Sequence, residues 1–109
     1  MSDAFPKPIY SSRAGDPSID EAVDRFVIGL GERVDQLQDT ESEGALKKLA
    51  EFAGTLAAEA EETGYGTLAN AANALESACL DRDSKLAREA TIELTEISQR
   101  VRLGHKGAA

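Results

Sequence analysis

Cysteine, histidine and proline are scarce in this chain, and tryptophan is absent. Cys79 is the one cysteine, so no internal disulfide forms and no set of zinc-ligand spacing exists. Aromatic residues make up only 5% against a hydrophobic fraction of 41%, so any core must be built mainly from Leu, Ala, Val and Ile. No apolar run approaches the roughly 20 residues of a membrane span. The stretch Met1 to Tyr10 has no apolar centre flanked by basic residues, so it does not read as a signal peptide. Positive charge is also short: 12 Lys and Arg against 20 Asp and Glu leave a formal net charge of −8. That balance argues against nucleic-acid phosphates and anionic membranes, both of which require clustered cations. A cytoplasmic protein of a single domain is expected from the 109 residues.

Strong helical periodicity is present. The three prolines, Pro6, Pro8 and Pro17, lie in residues 1–17, which read as an extended N-terminal arm. Ser18 as N-cap with Glu21 three residues on forms a capping-box pattern. Behind it Ile19, Ala22, Val23, Phe26, Val27, Leu30, Val34 and Leu37 recur in steps of three and four, one face of a long helix. Gly29 and Gly31 fall inside that run and weaken it by up to ~1 kcal/mol each. A polar turn at Asp39 to Gly44 follows, with Thr40 and Glu43 as a second capping box. The second helix carries Leu46, Leu49, Ala50, Ala53, Leu56 and Ala60 and ends near Thr63-Gly64. A third carries Leu68, Ala71, Ala72, Leu75 and Cys79, and Asp81 to Ser84 turns the chain again. A fourth buries Leu86, Ala90, Leu94, Ile97 and Val101 and closes at Leu103-Gly104, with Arg100 and Arg102 suiting its dipole. Residues 104–109 read as a flexible tail. With no strand-like alternation, the expected fold is an all-α, four-helix up-down-up-down bundle over residues 18–103.

The segment Gly64-Tyr65-Gly66-Thr67-Leu68-Ala69-Asn70-Ala71-Ala72-Asn73-Ala74-Leu75-Glu76 resembles the G-[FY]-x-x-L-x-x-A-A-x-x-L-E segment of histidine phosphotransfer (HPt) domains. Counting back from Gly64, the family's A-H-x-L-K-G motif falls on Ala53-Gly54-Thr55-Leu56-Ala57-Ala58, with Leu49, Phe52 and Ala53 matching its approach. Pro8-Ile9-Tyr10, Asp16-Pro17, Phe26-Val27 and Glu32-Arg33 resemble the opening of one bacterial branch, so the resemblance covers most of residues 8–103. It implies a protein of two-component phosphorelay signalling whose partner is a response-regulator receiver domain or a histidine kinase.

Carried over residue by residue, the family's chemistry is missing. Its phosphoacceptor position holds Gly54, its lysine is Ala57 and its small glycine is Ala58. An imidazole is required because it is nucleophilic near neutral pH and holds phosphate as a labile N–P bond. Shifting the register brings Glu51, Thr55 or Glu59 to that position, and none is histidine. The single histidine, His105, reads as a solvated tail residue. The resemblance therefore implies a chain that is not an enzyme, has no cofactor or metal of its own, and acts by occupancy.

Two readings of the small residues stand side by side. Ala53, Gly54, Ala57 and Ala58, with Glu61 beside them, form a smooth partner-docking face, or they permit close packing inside the bundle. As a docking face they would also serve a scaffold that homodimerises. Glu51, Glu59, Glu61 and Glu62 disfavour an acidic receiver pocket by about 0.5–1 kcal/mol per close pair, and Lys47 and Lys48 offset part of that. Elsewhere, Asp81, Asp83 and Glu76 lack calcium-loop spacing and read as turn and cap residues. Cys79 reads as a buried small hydrophobe, and Tyr65 as packed over its own turn.

Overall fold

The computed structural model describes residues 7–107, with side chains through His105. Among the described residues there are four helices and no strand: α1 (Asp20–Ser42), α2 (Leu46–Glu62), α3 (Gly66–Leu80) and α4 (Ser84–Gly107). Consecutive helices pack on one another and α4 returns against α1. Of these four contacts α2–α3 is the most extensive and α1–α2 the least, and a groove runs between α1 and α2.

The core follows the helical stripes. Leu30, Leu37, Leu49, Leu56, Leu68, Leu75, Leu94 and Val101 are fully buried. Between them Ala53, Ala60, Ala69, Ala72 and Ala87 have no exposed surface, which brings backbones close in an aromatic-poor core. Two expectations fail at the edges. Ala22 is exposed, and Leu86 is 47% exposed because the inward line of α4 runs Ala87, Thr91, Leu94, Ser98, Val101 and turns Leu86 outward. Thr91 tolerates burial by donating its hydroxyl to the Ala87 carbonyl. The Ser98 hydroxyl is buried with no partner among the described residues.

Neither expected capping box forms. Ile19 is the N-cap of α1 and makes no side-chain cap bond. Instead Ser18 donates its backbone N–H and hydroxyl to Asp16 Oδ1 at 3.0 and 2.7 Å, and these bonds hold the Asp16 carboxyl below its ordinary range. Thr40 is buried inside the last turn of α1, where its hydroxyl donates to Gln36 O, so α1 runs on to Ser42. Asp83 does cap α4, accepting from the Leu86 N–H at 3.0 Å.

All three interhelical turns use one device. The residue after the C-cap adopts positive φ: Gly44 at 73°, Gly64 at 83° and Arg82 at 59°. Its N–H reaches back to Glu41, Glu61 or Cys79, while the next residue's N–H reaches Thr40, Ala60 or Ala78. This double bond pattern satisfies carbonyls that a helix end would otherwise orphan.

The N-terminal segment is tied down over its described part. Ile9 donates its N–H to Arg100 O at 2.9 Å, Ser12 donates to Gly64 O at 2.8 Å, and Arg100 Nε donates to Lys7 O at 2.8 Å. Ile9 packs against the core and Ser11 is buried. The same contacts correct the expected tail. α4 continues through Gly104 to Gly107, and Gly104 is buried against the Ile9 backbone. The rest of the expected arm and tail, residues 1–6 and 108–109, lies outside the described residues. No described helix is long and apolar enough to cross a membrane.

Candidate functional site

The site is the outer face of α2. A helix packed on both α1 and α3 needs a wide apolar face, and that demand decides which small residues turn inward. Ala53 and Ala57 are 0% and 5% exposed, inside the core. They are therefore removed from the expected docking face and serve internal packing. Ala58 and Glu61 are exposed and Gly54 is half-buried. The outward stripe of α2 is Glu51, Thr55, Ala58 and Glu62, at the four- and three-residue steps of one helix face.

Gly54 has a specific neighbour. A Cβ built at position 54 would lie 2.8 Å from Oε2 of Glu76, whose carboxylate reaches over from α3. Position 54 thus has no side chain of its own and lies beneath the Glu76 carboxylate. Thr55 donates its hydroxyl to Glu51 O at 3.1 Å, within its own helix. Around this centre Lys48 Nζ stands 5.9 Å from the Phe52 ring, within cation–π range.

Toward α1 the face continues into the groove. Arg33 bridges it by donating to Glu59 Oε1. Both side chains are about a third or more exposed, at 33% and 42%, so this pair contributes no more than roughly 1 kcal/mol. On one side of the bridge lie Phe26, Gly29 and Glu62, and on the other Gln36, Phe52 and Thr55.

Several side chains singled out in the sequence take other places. Cys79 is buried, and burial, with Glu41 and Glu76 nearby, pushes its thiol above the ordinary value. That holds it as the unreactive thiol. Tyr65 is 2% exposed and stacks on Phe26 with ring centroids 5.9 Å apart. His105 is not a solvated tail residue. Its Nε2 lies 3.3 Å from Asp24 Oδ1, joining the end of α4 to the start of α1. Glu76 over Gly54 was hidden in the sequence, since nothing in a terminal motif glutamate says which helix it covers. Among the described residues no group of three or more His, Cys, Asp or Glu converges to hold a metal ion.

In comparison with known proteins, no family model, curated protein or solved structure matches the chain.

Proposed function

We propose that this chain is an HPt-like, up-down-up-down bundle with an N-terminal arm that binds a response-regulator receiver domain, or a histidine kinase, without carrying phosphate. One observation carries the reading: the centre of the outward α2 face holds Thr55, Ala58 and Gly54, with the Glu76 carboxylate where a phosphoacceptor would project. Such a face offers a partner little side-chain relief and no nucleophile. It supports control by occupancy, in which the chain competes with a competent phosphotransferase or holds a regulator in one state. On this reading the protein is cytoplasmic, is not an enzyme and needs no cofactor. Any magnesium belongs to the receiver.

The homodimer reading rests on the same small residues and loses support from their placement. Ala53 and Ala57 are already covered within the chain, which leaves Gly54 and Ala58 alone to form that contact.

Amide chemical shifts on titration with a receiver domain, unphosphorylated and phosphorylated, test the proposal. Shifts should follow Glu51, Thr55, Ala58 and Glu62, and Ala58→Arg should abolish them while the far-ultraviolet spectrum stays unchanged. An amide spectrum unmoved by either form of the receiver would overturn it.

A further inference from the structure

The charges of α2 run against its own dipole. A helix favours acids in its first turn and bases in its last, and α1 follows that rule at its start with Asp20 and Glu21. In α2 the first turn carries Lys47 and Lys48 and no acid, while the last carries Glu59, Glu61 and Glu62 and no base. Both ends are therefore charged to the disadvantage of the helix. Arg82 joins the basic end from the α3–α4 turn, so three cations and one acid, Glu51, line a single cleft. Lys47, Lys48 and Arg82 make no ion pair among the described residues. At the other end Glu61 and Glu62 are exposed. The cations that share the groove of Glu62, Arg25 and Arg33, pair with Glu21 and Glu59. Arg13 donates to the Glu62 carbonyl and pairs with Asp16.

Folding alone favours the opposite arrangement, so these charges serve something outside the helix. Lys47, Glu51, Thr55, Ala58 and Glu62 lie on one stripe, at steps of four, four, three and four residues. About 22 Å of helix separates the first of them from the last. Between the charged ends the face is small, with Gly54 half-buried and Thr55 and Ala58 exposed. A partner meets little relief in the middle and opposite charges at the two ends, and charge placed that way sets register and orientation more than raw affinity. We infer that the α2 face is read in one orientation, by a partner surface of reversed charge order: carboxylates against Lys47, Lys48 and Arg82, and cations against Glu61 and Glu62. The inference rests on the reading that this face docks a receiver domain.

The test is a titration of the full chain with a receiver domain, unphosphorylated and phosphorylated, at low and at physiological salt. Two double variants separate the ends: Lys47→Glu with Lys48→Glu, and Glu61→Lys with Glu62→Lys. Each brings its end into line with the dipole, so both should keep the helical far-ultraviolet spectrum and an unlowered thermal midpoint. Both should weaken receiver binding, by roughly tenfold at low salt and by less as salt screens the pairs. The change in overall charge has opposite sign in the two variants, so weakening of both marks charge order. Opposite responses would reveal a partner of one charge sign, and unchanged binding in both would show that charge does not orient the contact. Either result overturns the charge order and leaves docking by occupancy standing, whereas no binding by the parent chain overturns both.

Discussion

Gly54 and Gly104 are both helical glycines, yet a methyl group added at each meets a different obstacle. At position 54 it meets the carboxylate end of Glu76, a flexible side chain that can swing into solvent. At position 104 it meets the Ile9 backbone, with the carbonyl carbon 3.0 Å and the nitrogen 3.2 Å away. Gly54→Ala should therefore gain helix propensity and stabilise the fold by up to ~1 kcal/mol. Gly104→Ala should push the N-terminal segment off α4 and destabilise by about 1–3 kcal/mol. Urea midpoints measure both, and a shared sign would contradict the packing described. Ser98→Ala should also stabilise, by about 1 kcal/mol, because it removes a buried hydroxyl that has no partner. Tyr65 gives a pH signature. Its folded pKa is raised above the ordinary 10.0, so the neutral phenol favours the fold, and that contribution is present below the unfolded value. It is lost as pH rises through the folded value. Urea midpoints measured between about pH 9 and 11 should fall more steeply for the parent chain than for Tyr65→Phe.

At the scale of elements, the four helices were legible because their apolar residues recur at helical spacing, and Gly64 marked the end of α2 as expected. The boundaries were less legible. Ser18 and Thr40 carry the right side chains for N-caps, but competing local hydrogen bonds assign them elsewhere: Ser18 to Asp16 two residues back, and Thr40 to the Gln36 carbonyl inside α1. Nor could the periodicity show that α4 passes Gly104, because that depends on a backbone contact with Ile9, far away in sequence. The turns themselves make a prediction. Arg82 occupies at 59° the left-handed position that glycine fills in the other two turns. Arg82→Gly removes the steric cost of a Cβ there and should stabilise the chain by roughly 1 kcal/mol in urea unfolding. Gly64→Ala should do the opposite, since the added methyl would meet Arg13 N at 2.9 Å as well as the strained φ.

For the whole molecule, the sequence carried the missing chemistry further than the shape of the surface. That no histidine stands in α2 needs only the letters. Which alanines face outward depends on how α2 divides its surface between α1 and α3, and Ala53 and Ala57 went to the core. Likewise His105, the chain's one histidine, gains a partner in Asp24 only because α4 returns along α1. The occupancy account treats the α2 face and the groove toward α1 as one docking surface on a monomer. Sedimentation at micromolar concentration should accordingly give the mass of a single chain, 11.6 kDa, unchanged by Ala58→Arg. The most direct test incubates the chain with a phosphorylated receiver domain and follows complex formation and label transfer in one experiment. The account predicts a complex in which the label stays on the receiver. Label on this chain, or no complex with any receiver tried, would contradict it.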